Sequence, residues 1–486
     1  MTRSTSVPTL STRPRSVKTV GGLRKTVGGL ISPLGGLRKR SRLPHLWLGG
    51  LGKRSRLPHL RLGGLMVFFS LMLLAGTARA QSLIVSEGNV SYAYPYDPAT
   101  TMTYGTNTLT INGEDYDLSA LTSITGVADQ TLPASVFVHY SGASATVCIS
   151  GDLRGRVSAS ISGANVTLTD EQESIDDPDI AEVTYHLSGT STDGSFHQVG
   201  AYKCSISLEG ISLESSACPF EIENGKRIGI LLADGTQNTF RDGANNLRKS
   251  CFWVKGHAEF TGAGTLNLTG TQRHAYSSNE YTQLKSSFTG NINILGAQSD
   301  GMNIDQYFEQ RGGNVAFRNV VGDCLDVSAT TDPADELNGQ IIISGGTLDC
   351  TASGDDTKCL KSESHTTISG GNLTLRCTGD GSKGLSVGTT VNEVGSGDLT
   401  VEQDPTAASN ERPYIYILAT GDEYVNPLDE TDTSKCRGIK VKGNFTFNGG
   451  TIERDLSSTV KSSKVISVDG TYTYKTGAYK NCSFSK

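Results

Sequence analysis

An all-β chain is predicted: a parallel β-helix of about 25 residues per coil, preceded by a small strand-rich N-terminal region. Three observations carry this. First, ISGGTL from Ile343 returns as ISGGNL from Ile368, and DDTKCL ending at Leu360 returns as DGSKGL ending at Leu385, both 25 residues on. Second, 57 of 486 residues are glycine, and Ser, Thr, Asn and Asp abound, a composition of tight turns rather than helices. Third, short alternating runs such as TTISGGNLTL and NFTFNGGTI read as strands with glycine corners. A leucine-rich repeat has a similar period, but its L-x-x-L-x-L pattern is missing.

The elements follow in chain order. Residues 1–65 hold 14 Lys or Arg and no acid, and they repeat KRSRLPHL at 39–46 and 53–60. Such a stretch has neither helical nor strand periodicity. It reads as a non-native upstream extension or a disordered basic tail. Residues 66–80, MVFFSLMLLAGTARA, have a signal peptide's short apolar run, with Ala78 and Ala80 before a cleavage point. The expectation is therefore export, to the cell surface, the periplasm or the medium. Residues 81–486 hold 28 Lys or Arg against 49 Asp or Glu, a net charge of about −21. That charge argues against nucleic acid as a partner, and no later apolar run is long enough for a membrane span. All ten Cys lie after residue 80, at spacings unlike paired zinc ligands.

Residues 81–180 alternate apolar and polar as a strand-rich leader, with SGAS at 141–144 as a hairpin turn and EQESIDDPD at 171–179 as the boundary. The β-helix is placed at 181–475 and a C-terminal tail at 476–486. Its apolar anchors are Met302, Val315, Leu325, Leu348, Leu360, Leu373, Leu385, Leu399, Ile439 and Ile452, read as two per coil. Two long steps between them contain insertions, TTDPADELNG at 331–340 and a stretch near 404–434.

ENGKRIGILLADGTQNTF (223–240), VKGHAEFTGAGTLNLTG (254–270), DGMNIDQYF (300–308), the ISGG-x-L coils and SVDGTYT together resemble exported bacterial carbohydrate-binding proteins. That family has a pectate-lyase-like, right-handed parallel β-helix. The resemblance covers roughly 180–475. It implies binding of acidic plant-type polysaccharide, bound calcium, and no lyase activity. Where coils of that family read GDDGI, this chain has Cys324 and Cys359 at the glycine, a departure that bears on any metal geometry.

Stacked coils turn sequence repeats into columns. The residue before each small corner is Asp300, Asp323, Lys358, Lys383 and then Arg437. Asp300 and Asp323 one coil apart would repel unless a cation intervened, and calcium suits oxygen ligands in loose geometry. Asp305 and Asp326 are candidates for the same metal site, with Asp355, Asp356 and Asp380 of the GDD and GDG turns. The bases Lys358, Lys383 and Arg437 would face uronate carboxylates, Arg in bidentate fashion. Tyr414 and Tyr416 in the inserted loop offer faces for sugar rings. Equally, these charges could be solvated turn residues. Cys324 and Cys359, in neighbouring coils, would form either a bridge or a stack of buried thiols.

Three functions fit: non-catalytic binding of an acidic polysaccharide with calcium, a pectate-lyase-type polysaccharide lyase, and a surface adhesin or scaffold. The first is the expectation. No catalytic residue is assigned, since the chain lacks H-E-x-x-H and G-x-S-x-G.

Overall fold

The computed structural model describes residues 81–128, 132–174, 177–388, 397–404 and 411–484. The expected upstream extension (1–65) and signal peptide (66–80) lie outside the described residues. Among the described residues the only helices are two three-residue 3-10 turns, Gly151–Leu153 and Ser462–Lys464. No helix there is long and apolar enough to cross a membrane.

The chain winds as a parallel β-helix with three strands per coil, not two. One coil consists of Gln340–Ile343, Thr347–Ala352 and Lys358–Ser362, and the next of Thr366–Ile368, Asn372–Cys377 and Lys383–Val387. Each strand pairs in parallel with its equivalent one coil on: Ile341 with Thr366, Leu348 with Leu373, Leu360 with Leu385. Three faces result. At several places the first and second faces share one bent strand. Cys204–Glu214 turns at Gly210 (φ 82°) and pairs with Arg227–Leu232 on one side of the bend and Gln237–Arg241 on the other. Phe445–Arg454 does the same at Gly449 and Gly450, whose φ values of 138° and 82° exclude most side chains.

The inward residues form ladders. Met302, Leu325, Leu360, Leu385, Ile439 and Ile466 stack in register on the third face. Ile292, Val315, Leu348, Leu373, Ile415 and Ile452 do so on the second. All are buried, and each contributes about 1.5–3 kcal/mol of apolar transfer free energy. The sequence reading took Leu399 as a second-face anchor, but it belongs to the first, where it pairs with Thr366 and Phe445. That face escaped notice because its strands are short and its ladder includes a polar rung. Thr366 is buried there with its hydroxyl 2.8 Å from that of Ser362.

The region before the repeat is mixed. Ser82–Glu87, Val90–Pro95 and Ser123–Val127 pair antiparallel, as do Met102–Tyr104, Thr108–Ile111 and Glu114–Asp117. Ser135–Ser141 and Ser144–Ser150 form a hairpin around Gly142 and Ala143. Parallel pairing already begins at Ser135–Ser141, which lies against Val183–Ser191, and at Ala164–Asp170, which lies against Gly194–Gly200. The last strand of the first two faces, Tyr472–Lys480, runs past residue 475. The winding therefore extends beyond 181–475 at both ends.

All ten cysteines are free thiols, eight of them buried. Cys324 and Cys359 are buried thiols that donate to the Thr351 and Arg376 carbonyls, each at 3.4 Å, so the stacked-thiol alternative is the one present. Burial pushes the Cys350 and Cys359 thiols up, away from the reactive thiolate.

Candidate functional site

The third face builds a basic cleft. Each of its strands starts at a corner where the chain enters with an outward residue and then buries two in succession: Lys358 before Cys359 and Leu360, Lys383 before Gly384 and Leu385, Arg437 before Gly438 and Ile439. The corner residue must be small. A Cβ on Gly438 would come 2.6 Å from Ile417 Cγ2, and one on Gly384 2.5 Å from the Gly438 carbonyl oxygen. Because two residues turn inward together, the next outward position is three residues on, at Lys361, Ser386 and Lys440. Lys358, Lys383 and Arg437 are in register, and so are Lys361, Ser386, Lys440 and Ser467. Successive rungs are about 4.8 Å apart.

These two columns floor a cleft of about 570 Å³. The insertion near 404–434 supplies a wall. Its hairpin, Glu423–Asn426 with Asp429–Lys435, places Asp432, Thr433, Ser434 and Lys435 on the rim, while residues 405–410 lie outside the described ones. The lining has seven cations, the three column bases with Lys361, Lys435, Lys440 and Lys442, against two acids, Asp356 and Asp432. The sequence reading missed those four lysines. The signal for two of them was present: a base three residues beyond the corner in KCLK and RGIK.

Asp356 organises the floor. It sits at φ 50°, a left-handed conformation that Asp tolerates. Its carboxylate takes ion pairs from Lys383 at 2.8 Å and Lys358 at 3.2 Å, and a hydrogen bond from the Ser434 hydroxyl at 2.5 Å. It thus offsets the repulsion of two like charges on adjacent rungs and ties the hairpin to the floor. Burial holds the Lys383 ammonium below its ordinary range even with Asp356 beside it. Arg437 differs. Its Nη1 donates to the Cys436 carbonyl at 2.8 Å, and among the described residues no carboxylate forms an ion pair with it. It is half-buried and free to meet an incoming anion.

The seven candidate aspartates divide between two ladders and a few ion pairs. Asp300 Oδ1 accepts the Asp323 N–H at 2.9 Å, and Asp323 Oδ1 accepts the Lys358 N–H at 2.7 Å. In the neighbouring turn Asp355 Oδ1 accepts the Asp380 N–H at 3.3 Å, and Asp380 Oδ1 the Asp422 N–H at 2.8 Å. These carboxylates bond the backbone of the next coil. Asp305 pairs with Lys249 at 3.3 Å. Between Asp323 and Asp326 stands an ammonium: Lys361 Nζ lies 3.0 Å from Asp326 and 3.6 Å from Asp323. Burial works against that charge, but the two aspartates outweigh it and raise the lysine's pKa. Burial also raises both aspartates, Asp323 to about 6. Lys361 thus holds the space between Asp323 and Asp326 with a positive charge of the chain's own.

Tyr414 and Tyr416 are not in the inserted loop. They lie in the strand Tyr414–Ala419 on the second face, away from the lysines, and their hydroxyls donate to Glu453 (3.0 Å) and Asp455. The loop reading failed because the insertion begins before this strand and resumes after it.

The described residues thus form a three-faced parallel β-helix with a cation-lined cleft on one face. The chain belongs to the family of carbohydrate-binding domain-containing proteins, whose profile matches residues 154–480, more than half of its length. No curated protein matches it. Among solved structures it is similar to a polysaccharide lyase-like protein from C. thermocellum, studied as a gadolinium derivative. The identity is 18% and the TM-score 0.40, over 49% of this chain and 90% of that one.

Proposed function

We propose that this is an exported, non-catalytic binder of acidic polysaccharide, and that the ligand lies along the third face over Lys358, Lys383 and Arg437. The observation that carries the reading is the charge distribution. In a region with 28 bases against 49 acids, seven bases line one cleft. Six of the seven already pair with carboxylates of the chain, and Arg437 is the one with no such partner among the described residues, so it is the charge left for an anionic ligand. Rungs about 4.8 Å apart present cations at a spacing on the scale of one sugar ring, suiting a polymer with a charge on each unit. Arg437, without a carboxylate of its own, is the natural bidentate partner for a uronate. We further propose that Lys361 supplies the positive charge that the resemblance assigns to calcium.

The test is an array of acidic and neutral polysaccharides, probed with and without a chelator. The reading expects retention on uronate polymers, none on neutral ones, no change on chelation, and no ultraviolet absorbance from unsaturated uronide products. Equal retention on neutral glycans would overturn the charge argument. Loss on chelation would restore calcium to the site, and product absorbance would make the protein a lyase.

A further inference from the structure

The third face carries a second constellation, several coils before the basic cleft. His197 lies in the strand Gly194–Gly200, and Glu221 and Glu223 in the next rung, Phe220–Glu223, with His197 directly opposite Glu221. His197 Nε2 is 3.3 Å from Glu221 Oε1 and 3.3 Å from Glu223 Oε2. That nitrogen is buried and makes no hydrogen bond, although two carboxylate oxygens face it. Among the described residues this is the one trio of His, Cys, Asp or Glu whose ligand atoms all lie within 4.8 Å of one another. Hydrogen bonds from Arg248 bring the two glutamates together, but none accounts for the approach of the His197 nitrogen to the same oxygens.

We propose that His197, Glu221 and Glu223 form a three-ligand site for a borderline divalent metal of the zinc or cobalt type. Bonds of about 2.0–2.2 Å to nitrogen and oxygen put the edges of a tetrahedron at about 3.3–3.5 Å, and the two edges from His197 Nε2 are each 3.3 Å. Calcium is the wrong ion: it takes six to eight oxygens, and an imidazole with two carboxylates suits zinc, cobalt or nickel. Three protein ligands leave a fourth position for water or an oxygen of a bound molecule. Arg248 Nη2 bonds the same two oxygens, Glu221 Oε1 and, at 3.2 Å, Glu223 Oε2, and its guanidinium lies 4.4 Å from the centre of the Trp253 ring. Trp253 itself is in register with Glu221 one rung on. A metal would share these two oxygens with Arg248, each oxygen having a second lone pair, or displace its guanidinium from them. Solvent reaches the site, as the His197 side chain is 28% exposed.

The site shares no residue with the basic cleft, so this proposal and the polysaccharide reading stand or fall separately. The full chain, stripped of metal, is titrated with Co(II) alone and then with Zn(II), followed by visible absorption and calorimetry. The expected result is one equivalent of Co(II) with the intense visible bands of tetrahedral coordination, displaced by Zn(II) but not by Ca(II). His197→Gln and Glu223→Gln should each weaken binding at least tenfold. His186→Gln should not, because His186 meets only Glu209, at 2.7 Å, with no third ligand. The half-exposed Glu223 gives a variant whose folding is not at stake. Absence of saturable binding, displacement by Ca(II), or equal affinity in His197→Gln, Glu223→Gln and wild type would overturn the proposal.

Discussion

Replacing Asp323 by Asn should stabilise the fold at neutral pH and have little effect in acid. Asp323 is 8% exposed, and burial, opposed by Lys358 and Lys361, lifts its pKa from 3.8 to about 6. The folded state thus binds its proton more tightly than the unfolded chain does. Stability from this group is fully present below about pH 4 and is lost as pH rises through about 6. Two units at about 1.4 kcal/mol each give roughly 3 kcal/mol, an upper value for a coupled group. Asn keeps the acceptor for the Lys358 N–H, now at 2.7 Å, and carries no charge to bury. What it loses is the outer contact with Lys361 at 3.6 Å, and Lys361 retains Asp326 at 3.0 Å. Urea unfolding of both proteins at about pH 4, 5.5 and 7.5 measures the difference. The variant should gain about 1–3 kcal/mol at the highest pH, shrinking toward zero at the lowest. A pH-independent difference, or a variant less stable at about pH 7.5, would refute the reasoning.

Other consequences can be checked directly. Asp356→Asn removes the carboxylate that counteracts burial at Lys383, so the alkaline limb of polysaccharide binding should move to lower pH in a titration of affinity against pH. Gly379→Ala would place a Cβ 2.1 Å from the Gly354 carbonyl oxygen in the coil before. It should cost more than about 2 kcal/mol in urea unfolding, because backbone rather than side chain must move. Thiol reagents should label the native protein slowly, Cys148 included, since burial pushes its thiol up to about 11, and all ten cysteines should react once it is unfolded.

The winding was legible because a β-helix writes itself as a repeat: Leu360 and Leu385, 25 residues apart, pair in register. The column Lys358, Lys383, Arg437 was legible for the same reason. The first strand of each coil was not. Rungs such as Thr366–Ile368 are three residues long and mix a buried threonine with apolar neighbours, so no periodicity announces them. The aspartates were misread by their chemistry. A carboxylate accepts a backbone N–H as readily as it binds a metal, and only register shows that Asp300 meets the Asp323 amide. Lys361 between Asp323 and Asp326 could not be foreseen without knowing that two residues turn inward at the corner. His197, Glu221 and Glu223 come from two strands with no motif between them, and only the stacking unites them.

The central claim is that the basic cleft binds an acidic glycan, and Arg437→Gln tests it most directly, because among the described residues Arg437 forms no ion pair whose loss would confuse the result. Calorimetric titration with an oligogalacturonate would compare this variant with wild type and with Lys475→Gln, an exposed lysine on the strand Tyr472–Lys480, away from the cleft. A charge-assisted hydrogen bond is worth about 1.5–3 kcal/mol, so Arg437→Gln should bind about 10–100-fold more weakly, with Lys475→Gln unchanged. Equal affinity in all three proteins would contradict the account.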